Sequence, residues 1–457
     1  MEEHLLRSRW RFLILLIALA TVTALVFFYY HKISVYYQVD FSAYYAAAVS
    51  VSRGEDPYAN SPEFEHGQRF EHSQFLQPPI VAHFFRLFAW YPYHQAKNLW
   101  FVAQLLLIIA VIALQVRDPI KTVLVTNGIL IAIPLLFWPF YAHFERGQTD
   151  LLVLFFIACS KFLWDRGKST SAGILLAFGA IFKLPTAFIF SVPLAAKDKK
   201  FVMGGLISFA LLLLLSLSID GYAINQAYFL QYLPAIGNTG ILPVEVYDIE
   251  QEQSGLRAGR YMWDGREYAV ALGFQAPNGS FTRFLRLELN HAFGTVMGIL
   301  GVLLAATVII FFLHRNDSLL SRQVAWLFAM MTVLLFHPLT WLMNYVWLLF
   351  ISLELFSLSK DFLRQNKPSP KVIFYGIMLG GLLLTGMSDR FGRLIRQIVI
   401  FTNNLLTSPW QATLLAIVNG FLKYRVWLGG LILWLFLLGL ILRWEKWALA
   451  HQDEVIE

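Results

Sequence analysis

Cysteine and charged residues are both scarce in this sequence. The 457 residues include a single cysteine, Cys159, so an intramolecular disulfide is excluded and a thiolate metal site has no ligand set. Charged residues make up 14% of the chain, well below the roughly 25% of a typical soluble domain. The first shortage argues against redox chemistry, and the second argues against a soluble protein.

Several common catalytic motifs are missing as well. The sequence has no P-loop, no dinucleotide-binding glycine fingerprint and no Gly-x-Ser-x-Gly elbow, which removes support for nucleotide-driven pumping and for serine hydrolysis. The acids between Glu245 and Glu252 have neither the spacing of an EF-hand loop nor that of a paired-carboxylate site. We therefore expect no metal and no organic cofactor.

Apolar residues, in contrast, make up 58% of the chain. Apolar runs of roughly 17–25 residues, the length that crosses the hydrocarbon of a bilayer, recur from near the first residue to near the last. The net charge of +7 is scattered over short connections, so nucleic acid is not an expected partner. The pattern predicts an all-α polytopic membrane protein with the lipid bilayer as its surroundings.

The apolar runs also predict a topology. Basic connections such as Lys197–Lys200 face the cytoplasm if the N-terminus does, and the long segments 31–98 and 220–290 then face outward. Short periodic stretches in these segments, such as Phe41–Val51, have the pattern of amphipathic helices at the interface. The predicted spans lie near residues 12–30, 99–116, 122–141, 150–164, 201–219, 292–313, 323–340, 342–358, 372–387 and 426–442.

Residues 170–196 do not fit a simple span, because basic connections flank both ends. The apolar stretch is interrupted at Lys183-Leu184-Pro185, which predicts two short helices that break at this point. An ionisable group in such a place is costly unless it meets an anion or a wet cavity, so Lys183 is a candidate phosphate ligand. The alternative is a lysine that extends to the interface from a helix end.

A second candidate, Asp40, follows the first span and precedes the adjacent tyrosines Tyr44 and Tyr45. A carboxylate at the membrane surface can take a proton from a sugar hydroxyl. The alternative is a helix N-cap, because an aspartate before an apolar periodic stretch is a common start signal.

Two further polar clusters lie between apolar segments. In His143-Phe144-Glu145-Arg146-Gly147-Gln148, Arg146 and Gln148 are candidate ligands of a phosphate or a sugar, and a solvated turn with a salt bridge is the alternative. In the segment from His337 to Tyr345, the aromatic residues fit a membrane belt. His337 and Asn344 are candidate substrate ligands there, and a single turn that uses both is the alternative.

Motifs in a fixed order carry a resemblance to a known family. They are Asp40-Phe41 with Tyr44-Tyr45-Ala46-Ala47, Gly54-Glu55-Asp56-Pro57-Tyr58, Phe75-Leu76-Gln77-Pro78-Pro79 with Trp100, Gly147-Gln148, Ile181-Phe182-Lys183-Leu184-Pro185, and Pro338 with Thr340-Trp341. Together they resemble glycosyltransferase family 87, which includes phosphatidylinositol-mannoside mannosyltransferases and arabinofuranosyltransferases. Two positions depart from the family pattern: Gln77 stands where an aromatic is usual, and Met343-Asn344 where many members have a His pair.

The resemblance implies a GT-C-type bundle of roughly 10–12 transmembrane helices, with residues 1–358 as the catalytic module and residues 359–457 as C-terminal transmembrane helices. It implies an inner-membrane enzyme that moves mannose or another hexose from polyprenyl phosphate to a glycolipid or glycan hydroxyl on the extracytoplasmic face. Asp40 would be the base in an inverting reaction. Lys183 and Arg146 would bind the donor phosphate, and the substrate ligands would be Tyr44, Tyr45, Gln148, His337 and Asn344.

Two other functions fit the same sequence. A transporter of polyprenyl lipids or lipid phosphates would use the lysine and its cavity without a base. A non-catalytic scaffold would bind a partner through its outward loops and would tolerate changes at Asp40 and Lys183.

Overall fold

The computed structural model of the protein covers most of the chain between residues 20 and 443. It describes residues 20, 23–24, 26–31, 38–58, 74–115, 138–239, 246–251, 257–263, 266–271, 280–364, 368–387, 394, 397, 400 and 411–443. Most of the predicted spans 12–30 and 122–141 lies outside these residues.

The chain divides into two compact units. One unit consists of Met1–Leu135, Phe140–Ala187 and Asp198–Gln275, and the other of Leu136–Pro139, Phe188–Lys197 and Ala276–Glu457. The division expected at residue 358 concerned function and stays a prediction.

Helices dominate both units. Before the sheet the elements are α1 (Val39–Ser52), α2 (Pro79–Phe84), a 3-10 helix (Phe85–Trp90), α3 (Tyr93–Gln115), α4 (Trp138–Arg146), α5 (Asp150–Asp165), α6 (Ser169–Phe182), a 3-10 helix (Leu184–Phe190), α7 (Ser191–Ala195), α8 (Lys199–Ala227), a π-helix (Tyr228–Tyr232) and α9 (Leu233–Thr239). After the sheet they are α10 (Phe281–Glu288), α11 (His291–Arg315), α12 (Leu319–Phe336), a 3-10 helix (Leu342–Trp347), α13 (Leu348–Arg364), α14 (Pro368–Gly386) and α15 (Gln411–Leu442).

Several helices have the length and polarity of membrane spans. Five described helices pass this test: Tyr93–Gln115, Lys199–Gly237, His291–Arg315, Leu319–Phe336 and Tyr424–Leu442. The bent pair α4 and α5 adds a sixth if it is counted as one span. These helices confirm the predicted multi-pass, mainly α-helical membrane protein. The total of 10–12 helices extends beyond the described residues.

The predicted interruption of the apolar stretch at Lys183 is present. Helix α6 ends at Phe182, Lys183 has an extended backbone (φ −149°, ψ 92°), and a 3-10 helix begins at Leu184. Pro185 accounts for the end of α6, because a proline inside a continued α-helix would lack the backbone donor and its ring would clash with the carbonyl four residues earlier.

Helix α1 differs in its setting from the interfacial amphipathic helix expected at Phe41–Val51. All residues from Phe41 to Ala48 are buried, so the helix is covered on every face. Alanines at 43 and 46–48 leave room for neighbouring elements to approach closely. Packing inside the protein therefore fixes α1.

Helices α6 and α8 pack with their backbones in contact. A Cβ at Gly173 would lie 2.0 Å from the Phe201 carbonyl oxygen, and a Cβ at Gly204 would lie 2.3 Å from the Thr170 carbonyl oxygen. Small residues at membrane helix interfaces allow this approach. The contact supports the helix that ends beside Lys183.

A small antiparallel sheet in the second long segment was not predicted. Strands β1 (Val246–Gln251), β2 (Arg257–Trp263) and β3 (Arg266–Ala271) pair in the order β1-β2-β3, with a bulge in β1 between Tyr247 and Glu250. The all-α prediction therefore holds for the membrane helices and misses this local sheet.

Candidate functional site

A sharp turn between α4 and α5 forms the centre of the candidate site. The chain bends by 115° between the two helices. Gly147 in this turn has φ +72°, in the left-handed region that favours glycine. A Cβ at Gly147 would lie 2.6 Å from the Cβ of Phe41, so glycine also permits close approach of α1. The turn thereby brings the start of α1 against residues 146–150.

Neighbouring elements hold this turn in place. The indole Nε1 of Trp100 in α3 donates to the Gly147 carbonyl at 3.0 Å. The side-chain amide of Gln38 donates to the Phe144 carbonyl at 2.8 Å. Phe41 stacks on Trp100 with ring centroids 6.0 Å apart. A rigid shell of this kind keeps functional side chains in one geometry.

Asp40 lies in the first turn of α1 and is held by two residues of the turn. Arg146 donates from Nε to Oδ2 at 2.5 Å and from Nη2 to Oδ1 at 2.7 Å. The Gln148 amide donates to Oδ2 at 2.5 Å. The N-cap is Gln38. The alternative interpretation of Asp40 as the helix cap is therefore wrong.

Tyr44 and Tyr45 make different contacts. The Tyr44 hydroxyl is 3.4 Å from Oε1 of Gln148, to which it donates, and accepts from the Gln77 amide at 3.3 Å. The Tyr45 hydroxyl donates to the Tyr91 carbonyl at 2.8 Å. Burial and the Asp40 charge raise the pKa of Tyr44 well above its usual range, so its hydroxyl stays protonated.

Lys183 is paired with an aspartate that the sequence interpretation did not include. Its Nζ donates to Oδ1 of Asp150 at 2.6 Å, and the Asp150 side chain is fully buried while that of Lys183 is 22% exposed. Asp150 begins α5, where the positive end of the helix dipole stabilises a carboxylate. Lys183 is therefore the partly exposed member of an ion pair with a fully buried acid at the helix break.

His143 is the fully buried histidine of the predicted polar cluster. Within the described part of the chain its ring nitrogens have no hydrogen-bond partner. It lies within electrostatic reach of Lys183. In this segment His143, Phe144 and Gly147 are buried, whereas Arg146 is exposed and paired with Asp40. The salt bridge of the alternative interpretation is therefore present, in a turn that is only partly solvated.

His337 and Asn344 belong to the other unit. His337 follows the last residue of α12 and its carbonyl accepts from the Thr340 amide at 3.2 Å. The Asn344 side chain, only 3% exposed, accepts from the Trp341 amide at 2.6 Å. A local turn thus uses the Asn344 oxygen, as the alternative interpretation of this segment expected.

The residues that sequence reasoning missed are Asp150, Gln38 and Trp100. Asp150 follows Gly147-Gln148-Thr149 at the start of an apolar helix, where an acid is favoured by the helix dipole alone. Its partner is 33 positions away in the chain. A buried acid at the head of an apolar helix was the available signal. No cluster of three or more His, Cys, Asp or Glu side chains suited to a metal occurs among the residues that the structure describes.

The span-like helices, together with the paired side chains of Asp40, Asp150 and Lys183, define a multi-pass membrane protein with a polar site. Comparison with family models then gives the particular family. The model of glycosyltransferase family 87 matches residues 75–343, more than half of the chain, and the protein belongs to that family. It is a membrane glycosyltransferase. The match includes Arg146, Gln148 and Lys183, and it begins after Asp40 and Tyr44.

The chain also shows similarity to solved structures. One of them is ArnT from Cupriavidus metallidurans in the apo state, at 12% identity and a TM-score of 0.35, with 95% of this chain and 77% of that chain covered. No curated protein matches the sequence significantly.

Proposed function

We propose that this glycosyltransferase moves a sugar from a polyprenyl-phosphate donor to a hydroxyl of a glycolipid or glycan acceptor, on the extracytoplasmic face of the inner membrane. Mannose or another hexose is the proposed sugar. One observation carries the proposal: the partners of Asp40 and Lys183 lie within the same five-residue turn, Arg146–Asp150. A base and a phosphate ligand are therefore held by one rigid segment.

Asp40 is the proposed base. Each carboxylate oxygen has two lone pairs. Among the described residues Oδ2 accepts two hydrogen bonds, from Arg146 and Gln148, and Oδ1 accepts one, from Arg146. An acceptor hydroxyl therefore has a lone pair on Oδ1 to approach.

Lys183 and Arg146 are the proposed ligands of the donor phosphate. The leaving phosphate gains negative charge as the glycosidic bond breaks, so cations beside it stabilise the transition state more than the ground state. Arg146 uses two of its five N–H groups on Asp40, and its side chain is 44% exposed. It can contact a phosphate while it still holds the base.

The proposed reaction is a single displacement. The acceptor oxygen attacks the anomeric carbon while its proton passes to Asp40, and the bond from that carbon to the phosphate oxygen breaks with its electron pair leaving on polyprenyl phosphate. The configuration of the anomeric carbon is inverted. Gln148, which donates to Asp40, and Tyr44, whose hydroxyl donates to Gln148, are the proposed sugar ligands.

The other residues proposed to contact substrate differ in whether their polar atoms are already hydrogen-bonded within the protein. The Tyr45 hydroxyl and the Asn344 side-chain oxygen are both engaged within the protein. His337, partly exposed beyond the end of α12, stays a proposed contact.

The experiment is a donor panel with Asp40→Asn. Purified protein is incubated with polyprenyl-phosphate sugars and an acceptor extract, and the release of polyprenyl phosphate is measured. We expect wild-type turnover with one donor and a loss of about 10²–10⁴-fold in Asp40→Asn, the usual effect of removing a general base. Donor binding should persist.

The matched control is Asp317→Asn. Asp317 accepts two hydrogen bonds from Arg322 at 2.6 and 2.7 Å, the same pairing as at Asp40, at a partly exposed position. This variant should keep wild-type turnover. If the protein instead moves the polyprenyl lipid across the membrane without sugar transfer, and Asp40→Asn leaves this flux unchanged, the protein is a transporter.

A further inference from the structure

The Asp150–Lys183 pair has a feature that the proposed reaction does not need. Lys183 and Arg146 would supply the charge for a phosphate without Asp150, yet this fully buried carboxylate holds the Lys183 ammonium at 2.6 Å. We propose that Asp150 is a positioning residue, which holds the Lys183 ammonium aimed at the donor phosphate before the donor binds. This inference rests on the proposed function, because it concerns the ligand that Lys183 takes.

The conformation of the chain at Lys183 supports this role. The residue lies in the break between α6 and the following 3-10 helix, so no continuous helix fixes its side chain. Lysine has a flexible four-carbon stem that carries a point charge. Asp150, in contrast, is in the first turn of a regular helix and fully buried. The rigid partner therefore sets where the flexible one lies.

The charge balance points the same way. An isolated ammonium in low-polarity surroundings is strongly unfavourable, and a buried pair compensates it. His143, fully buried and within electrostatic reach, supplies no anionic charge. Asp150 is the acid that the structure shows bonded to Lys183, and it lies in the first turn of α5.

The turn also connects this pair to the base. Gln148, which donates to Asp40, and Asp150, which accepts from Lys183, are two residues apart at the start of α5. Asp150 therefore positions Lys183 through the same turn that holds Asp40.

The test is a double-mutant cycle with Asp150→Asn and Lys183→Met. If Asp150 acts through Lys183, Asp150→Asn lowers kcat/KM for the donor by about tenfold or more in the wild-type background. In the Lys183→Met background it changes kcat/KM by less than about threefold, because the side chain to be positioned is absent. KM for the acceptor stays unchanged. Equal losses in both backgrounds overturn the inference.

A matched control lies on the same helix. Asp165 pairs with the buried Lys161 at 2.6 Å near the other end of α5. Asp165→Asn should leave kcat/KM for the donor at the wild-type value. A loss equal to that of Asp150→Asn would show that any broken ion pair on α5 has this effect, and would overturn the inference.

Asp150→Asn leaves the partly buried Lys183 without this partner and can prevent folding. Asp150→Glu keeps the charge and moves the carboxylate by one methylene, so it provides the second variant. We expect Asp150→Glu to fold and to lose about threefold or more in kcat/KM for the donor, because the ammonium is displaced. Wild-type kinetics in this variant contradict the proposed positioning.

A binding measurement separates this inference from the proposed function. Polyprenyl phosphate is titrated into each variant in detergent without any sugar donor. We expect Asp150→Asn, or Asp150→Glu if the former does not fold, to bind about tenfold more weakly than the wild type. Tight binding by the wild type without transfer from any donor removes the proposed function alone. Undiminished binding by the Asp150 variant removes the positioning role alone.

Discussion

The adjacent tyrosines Tyr44 and Tyr45 on α1 contact different partners, although they differ by a single position in the helix. Successive helical residues point about 100° apart. Tyr44 therefore reaches Gln148, and Tyr45 reaches the Tyr91 carbonyl. The sequence presented both as equivalent candidates. The direction of each side chain depends on where α1 begins, and that is set by Gln38 and its bond to Phe144.

Tyr44→Phe should lower kcat/KM by about three- to tenfold, the value of one hydrogen bond of roughly 0.5–1.5 kcal/mol. Because the raised pKa of Tyr44 keeps its hydroxyl protonated, this loss should be the same from pH 6 to about pH 9. Steady-state kinetics across that range measure it. Tyr45→Phe should instead lower the Tm while kinetics stay near wild type. A growing effect of Tyr44→Phe with pH would show that the hydroxyl titrates.

Individual residues also show which parts of the candidate site can be predicted from the sequence. Lys183 was identifiable because an ion within an apolar run is costly, and Asp40 because it follows a span and precedes aromatic residues. Asp150 was not, because an acid at a helix start has an ordinary explanation and its partner is remote in the chain. Contacts between distant segments are the part that a single sequence does not give.

At the scale of elements, breaks were easier to predict than packing. Pro185 and the flanking basic residues predicted the interrupted helix, and the structure shows it. The burial of α1 was missed because its alanines and tyrosines also fit an interfacial helix. The short sheet within 246–271 was missed as well, since charged residues interrupt its alternation.

Gly147→Ala tests the close approach of α1 to the turn. Left-handed geometry costs an alanine about 1–2 kcal/mol, and the added Cβ would also meet the Cβ of Phe41 at 2.6 Å. We expect a lower Tm and a loss of about tenfold or more in kcat, because Arg146 and Gln148 would shift from Asp40.

Gly167→Ala is the control for this prediction. Gly167 has φ +73°, close to that of Gly147, and a Cβ there would meet nothing within 4 Å. It should share the backbone strain and keep wild-type kcat. Equal activity in the two variants would mean that the approach of Phe41 does not position the site.

At the scale of the whole molecule, the composition was enough to predict a membrane protein, since the five span-like helices lie on predicted apolar runs. The side of the membrane on which the polar site lies is a separate matter, and it stays a prediction from the basic loops.

The single cysteine makes this topology testable. In a Cys159→Ala background, Ser52→Cys at the exposed end of α1 should react with a membrane-impermeant maleimide in intact cells. Lys168→Cys, exposed between α5 and α6, should react only after permeabilisation. Labelling of both positions from one side would contradict the predicted orientation. A permeant maleimide that labels both variants controls for reactivity.

The turn between α4 and α5 also has a consequence for how this enzyme can vary. Arg146 and Gln148 hold Asp40, and Asp150 holds Lys183, so inserting one residue in this turn would displace the proposed base and the proposed phosphate ligand together. We therefore expect the length of this turn to stay constant where sugar preference changes.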